Sequence, residues 1–355
     1  IMKAAFLTGI RTIEIRQTPE PKIANPSAVL LAVETVGVCG SAMHYYKQGR
    51  IGCQIVQYPW IVGHECAGRV LEVGPGVTHI RAGDRVAVDP LVPCGVCDQC
   101  LTGRTHTCRN QTFLGCPGQA QGSLAERLVM PESNCFVVPD GMTATQAALA
   151  EPLTISLWAQ KLSAQAGGGL KIGILGAGPI GLGVLAACKL AGPCMVYQTD
   201  LLDNRLTLAR KFDADWTGNA GKTDVVKEIT ALEPMGLDVV FECVGLQETI
   251  DQSLELLKPC CQMVLVGIPC QDRVSFDLNQ MRRKELRIQN VRRQLEQVPR
   301  ALDMIAAGKV NVDALVTHNF TIDQAQEAFE LVADYRDRVV KAMINLVVPA
   351  RRDSR

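Results

Sequence analysis

The sequence predicts an α/β fold in which a β-rich first part is followed by a doubly wound parallel sheet. Up to about residue 150, short β-like segments alternate with Gly and Pro, a pattern typical of strands joined by turns. From about Thr154, apolar strands alternate with helical segments, which indicates βαβ units on a parallel sheet. The length of 355 residues favours more than one core, because single cores stop growing near ~250–300 residues.

The individual elements follow from these patterns. In the first part, β-like segments include Ala28–Val33, Gly68–Val73 and Arg85–Val88. In the second part we predict strand Ile172–Leu175, a helix ending at Leu190, strand Met195–Thr199, helix Asp203–Phe212, strand Leu237–Phe241, helix Glu248–Leu257 and strand Met263–Val266. A last helix, Val298–Ala307, leads into a tail that is too small to fold alone. We therefore predict one domain from residues 1–153 and 294–355, and a second domain from residues 154–293.

Composition excludes several classes of protein. The 36 basic and 36 acidic residues cancel, which gives no reason to expect nucleic acid or an acidic membrane as a partner. The most apolar stretch, Ile172–Cys188, is interrupted by glycines and a proline and is no membrane span. The opening Met2-Lys3-Ala4-Ala5 is strand-like rather than a secretion signal. Of the 15 cysteines, some lie singly in apolar segments and others cluster, so we expect a reducing, cytoplasmic location and a metal.

A glycine-rich turn lies between the strand Ile172–Leu175 and the helix after it. Glycines permit a tight turn and close approach of the backbone to a pyrophosphate, while the helix N-terminus supplies partial positive charge. Asp200, at the end of the next strand, is placed to bind ribose hydroxyls and to repel a 2′-phosphate, which favours NAD. Arg205 leaves the alternative open, since an arginine can neutralise that phosphate. The turn consists of Gly176, Ala177, Gly178, Pro179, Ile180 and Gly181.

Four clustered cysteines predict a structural zinc site. Their spacing supplies four thiolates on one loop, enough for a closed tetrahedral site with no open position for catalysis. The alternatives are a redox cluster and a zinc ribbon that binds nucleic acid; the balanced charge weighs against the ribbon. The residues are Cys94, Cys97, Cys100 and Cys108.

A second group of possible ligands is dispersed along the chain: Cys39, His64, Glu65 and Glu151. A thiolate, an imidazole and a carboxylate leave a position for water or a substrate oxygen, as in catalytic zinc sites. The spacing alone does not decide the matter, because a His beside a Glu is more often an ordinary surface or core pair.

These motifs together resemble the zinc-containing medium-chain dehydrogenase/reductase family over nearly the whole chain. The resemblance rests on Gly37–Ser41, on Gly63–Gly68 continuing to Gly74 and Val77, on the four-cysteine loop and on the glycine-rich turn. Within the family, Cys39–Tyr46, Gly49–Gly52 and Glu151–Leu153 are similar to the sorbitol (polyol) dehydrogenase branch. The resemblance implies a GroES-like catalytic domain and a Rossmann domain that binds NAD.

The resemblance also implies roles for single residues. Cys39, His64 and Glu65 would hold a catalytic zinc, and Glu151 would either bind it or hold its water. Ser41 would take the alcohol proton, relayed through the cofactor ribose and His44 to solvent. Val266 and Val291 would lie beside the nicotinamide, and Cys243 and Gly267 are two further positions expected to bind the cofactor.

Two further positions, Tyr45 and Arg293, match residues that contact the polyol chain in the sorbitol branch. Donors at fixed places discriminate hydroxylated chains better than an apolar pocket does. Ordinary cleft packing is the alternative for Tyr45, and simple solvation is the alternative for Arg293.

Three departures from the family pattern matter, of which the first two touch the active site and bear on the identity of the substrate. Ala42 stands where the family has an Asp that supports the zinc-binding His, which should lower metal affinity unless another group substitutes. Gln294 replaces a Tyr that the sorbitol branch has beside the arginine. The four-cysteine loop, absent from mammalian sorbitol dehydrogenases, is kept here as in bacterial polyol and threonine dehydrogenases.

The function implied is zinc-dependent, NAD-linked oxidation of a secondary alcohol to a ketone, with a polyol as substrate in the manner of sorbitol or L-iditol 2-dehydrogenase. An L-threonine 3-dehydrogenase, or a secondary alcohol or butanediol dehydrogenase, is the alternative with the same chemistry. A catalytically inactive relative that serves as a binding protein is the alternative from another class, although all the ligands are present. The expected partners are a small-molecule alcohol and further copies of the chain, as a homodimer or homotetramer.

Overall fold

The computed structural model describes residues 1–163 and 169–346. Residues 164–168 of the expected second domain and residues 347–355 of the expected first domain therefore lie outside the described residues. The chain divides into two compact units, Ile1–Glu151 with Val298–Arg355, and Pro152–Gln297. The unit boundaries thus fall after Glu151 and Gln297, where the sequence led us to expect residues 153 and 293.

The described residues form short strands and helices throughout. In chain order the strands are β1 (Met2–Gly9), β2 (Thr12–Thr18), β3 (Ala28–Gly37), β4 (Arg50–Ile51), β5 (Gln54–Ile55), β6 (Trp60–Ile61), β7 (Glu65–Val73), β8 (Arg85–Val88), β9 (Leu91–Val92), β10 (Thr112–Phe113), β11 (Arg127–Pro131), β12 (Cys135–Val137), β13 (Leu170–Leu175), β14 (Cys194–Asp200), β15 (Trp216–Asn219), β16 (Leu237–Glu242), β17 (Leu257–Leu265), β18 (Arg287–Asn290), β19 (Val316–Thr321) and β20 (Lys341–Asn345). The α-helices are α1 (Gly40–Gln48), α2 (Asp98–Leu101), α3 (Ala144–Leu162), α4 (Pro179–Ala191), α5 (Asp203–Lys211), α6 (Val225–Leu232), α7 (Gln247–Leu256), α8 (Leu278–Lys284), α9 (Val298–Ala306) and α10 (Ala325–Ala333).

The first unit is built on a mainly antiparallel sheet of seven strands. Its order is β12-β8-β7-β3-β20-β19, and β11 also pairs with β3. The central strand β3 joins the two ends of the chain, because it pairs with β7 on one side and with β20 on the other. Apolar residues of β3 such as Val29, Leu31 and Val33 are buried in the core of this unit, together with residues of α10.

The second unit contains a six-stranded parallel sheet. Its order is β15-β14-β13-β16-β17-β18, with every neighbouring pair parallel. This order is the doubly wound arrangement of dinucleotide-binding sheets, in which ligands bind beyond the carboxyl ends of the strands. The parallel sheet expected from the sequence is confirmed. Buried strand residues such as Val240 and Met263 form its core with Ile250 and Leu254 of α7.

Over residues 1–163 and 169–346, no helix combines the length and the apolar character that crossing a membrane would require.

Helix α10 gives a test of how the C-terminal segment stabilises the first unit. Phe329 is 1% exposed, and its ring centroid lies 5.3 Å from that of Tyr46 on α1. Phe329→Ala should lower the free energy of unfolding by about 3–5 kcal/mol, because it leaves a cavity in a packed core. Urea denaturation measures the loss. Glu327→Ala on the exposed face of the same helix is the control and should change stability by less than about 0.5 kcal/mol. Equal losses in the two variants would contradict this assignment of the core.

Candidate active site

The pairing of β3 with β7 brings the first candidate ligands together. Gly37, the last residue of β3, pairs with Glu65, the first residue of β7. Cys39 lies two residues beyond Gly37 and directly precedes α1, while His64 directly precedes β7. Ser41 in the first turn of α1 lies between them: its hydroxyl donates to Cys39 Sγ at 3.2 Å, and its Oγ is 3.5 Å from His64 Nε2. The structure therefore brings a thiol, a hydroxyl and an imidazole to one end of the sheet.

Glu65 is part of a buried ion pair with Lys341 of β20, and both side chains are 2% exposed. Lys341 Nζ also donates to the Val38 carbonyl oxygen at 3.1 Å. Gly37 leaves the space for this pair, because a Cβ there would overlap Glu65 Oε2 and lie 3.0 Å from Lys341 Cε. Removing one member of a buried pair leaves an uncompensated charge, so each depends on the other. The charge of Glu65 is thus already balanced by the protein.

Glu151 is buried and Cys39 is half-buried, and the neutral form of each is favoured in the described chain. Burial raises the pKa of Glu151 to about 8, with His64 acting in the opposite direction. Burial also raises the pKa of the Cys39 thiol to about 11, and the Glu65 charge adds to the effect. A divalent cation would favour both charged forms, because its positive charge compensates for the stabilisation by water that burial removes. A thiol and a carboxyl beside an imidazole are the donor set that zinc prefers, so the residues present fit zinc.

The four-cysteine loop is more compact than this dispersed group. The four sulfur atoms of this loop all lie within 4.8 Å of one another. Over the described ranges 1–163 and 169–346, no other group of three or more His, Cys, Asp or Glu side chains is as compact. The Sγ atoms of Cys97 and Cys100 are 3.6 Å apart, and those of Cys97 and Cys108 are 3.8 Å apart. Zinc with tetrahedral bonds of ~2.3 Å to sulfur would space the sulfurs about 3.8 Å apart. The cluster therefore has the dimensions of a zinc–thiolate site.

Backbone N–H groups around this loop favour thiolates at two of its positions. Donation by the Arg109 N–H lowers the pKa of Cys97 to about 6, and donation by the Val96 N–H lowers the pKa of Cys94. Burial raises the pKa of Cys100 to about 12, so this thiol would need a cation to become a thiolate. A metal bound here would have backbone dipoles oriented to support its ligands.

Helix α1 carries three further residues of interest. His44 is half-buried, and burial together with the nearby Lys47 lowers its pKa, so that it is neutral near pH 7. Tyr45 is 6% exposed, and its hydroxyl donates to Gln54 Oε1 at 3.1 Å. Ala42 is 2% exposed and offers no side-chain acceptor, and the His64 ring packs against Phe113 at 5.2 Å between centroids.

In the second unit, the glycine-rich turn connects β13 to α4. Gly176 has φ +100, in the left-handed region that favours glycine, and Gly178 precedes Pro179 at the start of α4. A Cβ at Gly181 would overlap the Gly176 carbonyl oxygen, so α4 packs directly on the turn. Ile180 lies in the first turn of α4. The open N-terminus of α4 has the geometry of a phosphate-binding helix.

Asp200 fixes this turn from the next strand. Its Oδ2 accepts a hydrogen bond from the Ala177 N–H at 2.7 Å, and its Oδ1 accepts from the Leu202 N–H at 2.9 Å. Arg205 Nη1 is 3.8 Å from Asp200 Oδ2 and lies 3.6 Å from where a Cβ on Gly178 would be. An acid and an arginine thus stand together beside the turn, as the sequence predicts.

The other predicted cofactor positions lie at the same edge of the sheet. Cys243, Val266 and Val291 directly follow β16, β17 and β18. Their N–H groups continue the strand pairing by donating to Leu175 O, Glu242 O and Leu265 O at 2.8–2.9 Å. Gly267 donates to Glu242 O at 2.9 Å. The carboxyl ends of neighbouring parallel strands meet here, which is where this type of sheet binds ligands.

Arg293 and Gln294 follow β18 in an irregular segment. Arg293 is half-buried, with φ +51. Gln294 is 6% exposed, and its Oε1 accepts a hydrogen bond from the Gln297 N–H at 2.8 Å. The structure thus gives Gln294, a departure from the family pattern, a local structural role ahead of α9.

Sequence reasoning missed two residues that support the site. Lys341 holds Glu65, and the fully buried Gln198 donates from Nε2 to the Gly176 carbonyl oxygen at 3.1 Å. Lys341 stands between Val340 and Ala342, and Gln198 follows Val196 and Tyr197. A polar residue next to apolar ones is a usable signal, since buried polar groups need partners.

Comparisons with known proteins agree with this geometry. Residues 25–140 match the family described as alcohol dehydrogenase GroES-like domain, and residues 179–307 match the family described as zinc-binding dehydrogenase. The chain is 34% identical to a sorbitol dehydrogenase of Bacillus subtilis over 97% of each chain. It belongs to the zinc-binding dehydrogenases. The sequence prediction of a GroES-like domain with a Rossmann domain is confirmed.

Two solved structures are similar to this chain over nearly their full length. One is a zinc-binding dehydrogenase of Sinorhizobium meliloti 1021 bound to NADP, 30% identical, with a TM-score of 0.89 over 97% of this chain and 99% of that chain. The other is 2R,3R-butanediol dehydrogenase of Bacillus subtilis, 29% identical, with a TM-score of 0.87 over 98% of this chain and 100% of that chain. As a member of this family, the protein is an oxidoreductase that uses zinc and NAD or NADP to act on an alcohol.

The four-cysteine loop gives a metal-content test. Cys97→Ser should lower the zinc content by one ion per chain and reduce the melting temperature, because three remaining thiols hold zinc less tightly than four. Metal analysis of the purified protein measures the change. Cys53→Ser, at an exposed cysteine outside the loop, is the control and should leave the zinc content unchanged. An unchanged zinc content in Cys97→Ser would show that this loop is not a zinc site.

Proposed function

We propose that this dehydrogenase oxidises the secondary hydroxyl of a polyol to a ketone, with zinc and NAD. The observation that carries the proposal is the grouping of Cys39, Ser41 and His64 within hydrogen-bonding range beside the buried Glu151. A group of this kind can hold a metal and a reacting hydroxyl at one point. The similarity to sorbitol dehydrogenase supports a polyol as substrate.

We assign Cys39, His64 and Glu151 as the residues that would hold the catalytic zinc. Glu65 is the fourth candidate, and its ion pair with Lys341 makes it the less available carboxylate. When bound, zinc supplies Lewis-acid activation of the alcohol and NAD accepts the hydride. The four thiols of the cysteine loop would hold a second, structural zinc.

Proton removal is the task of the protein's own groups. Ser41 Oγ lies within 3.5 Å of Cys39 Sγ and of His64 Nε2, so it stands beside the place where a bound hydroxyl would be held. It is placed to take the alcohol proton. His44, three residues further along α1 and neutral because of its lowered pKa, is able to accept a proton and release it to solvent.

Substrate recognition is assigned to Glu151, Tyr45 and Arg293, which offer an acceptor and donors to a hydroxylated chain. A butanediol is the second candidate substrate, favoured by the similarity to 2R,3R-butanediol dehydrogenase. We also propose that the enzyme works in a reducing, cytoplasmic compartment, supported by its 15 free cysteines, and as a homodimer or homotetramer.

A substrate panel tests the reaction. With NAD and the zinc-loaded enzyme, kcat/KM should be highest for sorbitol or another polyol, and lower for 2R,3R-butanediol and L-threonine. Ser41→Ala tests the proton transfer and should reduce kcat by about 10²-fold or more for every substrate, because the proton acceptor is lost. Turnover confined to butanediol or threonine would replace the polyol with that substrate. Activity that survives in Ser41→Ala would remove Ser41 from the proposed mechanism.

Cofactor choice is tested at Asp200. Asp200→Ala should lower kcat/KM for NAD by about tenfold or more, because it removes charge-assisted hydrogen bonds near the ribose site. It should also raise the NADP/NAD ratio of kcat/KM, since Arg205 then faces a 2′-phosphate without the opposing carboxylate. Asp203→Ala is the matched control: this exposed acid, three residues on, pairs with Lys222 and should leave the ratio unchanged. A wild-type enzyme that prefers NADP would contradict the proposed use of NAD.

A further inference from the structure

Glu242 is a buried acid at the carboxyl edge of the parallel sheet. It is the last residue of β16 and is 0% exposed. It pairs in register with Leu175, which precedes the glycine-rich turn, and with Leu265, which precedes Val266. Glu242 therefore stands between the turns that the sequence predicts to bind the cofactor, although the sequence pattern did not single it out.

The side chain and the backbone of Glu242 hold two different turns. Oε1 accepts hydrogen bonds from Val244 N–H, Gly245 N–H and Thr249 Oγ1, each at 2.8 Å. The backbone oxygen of Glu242 accepts hydrogen bonds from Val266 N–H at 2.8 Å and Gly267 N–H at 2.9 Å. One residue thus connects the turn at residues 243–245 to the turn at residues 266–267.

The glycines at this edge show how closely the turns pack. Gly245 has φ +84, and a Cβ there would lie 2.5 Å from the Ile268 carbonyl oxygen. A Cβ on Gly267 would lie 2.6 Å from Glu242 Oε2. A Cβ on Gly176 would lie 2.8 Å from Val244 Cγ2. Because the three turns are in direct contact, a displacement of residues 243–245 would also displace the glycine-rich turn and residues 266–268.

Packing alone does not account for an acid at this position. A methionine would fill a similar volume without the desolvation penalty of a carboxyl, and burial does raise the pKa of Glu242. What the carboxyl adds is an acceptor for the N–H groups ahead of α7, whose N-cap residue, Leu246, provides no side-chain hydrogen bond. The other carboxyl oxygen of Glu242, Oε2, is buried and has no hydrogen-bond partner among the described residues. Oε1 therefore accepts all the hydrogen bonds that this side chain makes there.

We infer that Glu242 is a positioning residue for the cofactor: its carboxyl oxygen holds the 243–245 turn, and through it the 266–267 turn, in the arrangement that receives the nicotinamide half. The inference rests on the proposed function for the use of NAD, and on the sequence prediction of Cys243, Val266 and Gly267 as cofactor positions. Glu242 acts through these turns. A turn held in place before binding needs no ordering when the cofactor binds, so its loss appears as weaker binding.

The test measures NADH binding by fluorescence titration of the zinc-loaded enzyme. Glu242→Met removes the acceptor and should raise the Kd for NADH by about tenfold or more. Glu242→Gln keeps an acceptor oxygen and should stay within about threefold of the wild type. In steady-state assays, Glu242→Met should raise KM for NAD more than KM for the alcohol, a difference that a merely structural role would not produce.

Glu233→Met is the matched control. Glu233 is a buried glutamate of the same unit, 7% exposed, which binds Tyr197 and Lys171 away from the proposed cofactor residues. This variant should lower the melting temperature and leave the Kd for NADH unchanged. If Glu242→Met does not fold, Thr249→Val replaces it: removing one of the donors to Oε1 should raise the Kd, and Thr249→Ser should restore it.

Each remaining outcome has a definite meaning. Wild-type affinity in Glu242→Met, or in Thr249→Val when that variant replaces it, would overturn the inference. Equal weakening in Glu233→Met would also overturn it, because general destabilisation would then explain the loss. Absence of saturable NADH binding by the wild-type enzyme would overturn the proposed function, and this inference with it.

Discussion

The buried ion pair between Glu65 and Lys341 is the contact on which the first unit and its candidate site both depend. The pair joins β7 to β20 across β3, which lies between them. It is possible only because Gly37 of β3 has no side chain. The same register places Cys39 and His64 beside each other. Loss of either charge would leave its partner buried and uncompensated, at a cost of about 3–5 kcal/mol. The geometry of the candidate ligands is therefore tied to the stability of the sheet.

The second unit follows a different principle, since its candidate site consists mainly of backbone. Turns at the ends of β13, β16 and β17 pack against one another through glycines, and acidic side chains hold them by accepting N–H groups. Asp200 and Glu242 have the same role at two points of one edge. This arrangement leaves the helix N-terminus open, which suits an anionic ligand that is recognised by dipoles and N–H groups.

Local patterns were sufficient to predict part of this structure. The strand before Gly176, the helix after it, Asp200 and the four clustered cysteines could all be identified because each signal lies within a short stretch of chain. Helix α6 and strand β15 were not predicted, since Val225–Leu232 and Trp216–Asn219 are short elements between stronger signals. The pairing of Glu65 with Lys341 could not be predicted, because its partners are 276 positions apart and neither flanking sequence specifies the other. Similarly, Glu242 has a role that depends on donors from a turn and a helix that meet only in the fold.

The insertion of the second unit between the two segments of the first has a consequence for biosynthesis. Residues 152–297 form a continuous stretch, so they can fold as soon as they have left the ribosome. The first unit cannot be completed then, because β3 still lacks β20 as a neighbour. Until Lys341 has been translated, Glu65 has no cation to balance its charge when it becomes buried, and one edge of β3 stays open to incorrect pairing. The nascent chain therefore carries an incomplete sheet until its last strands have been made, and this interval is when the first unit is most open to misfolding.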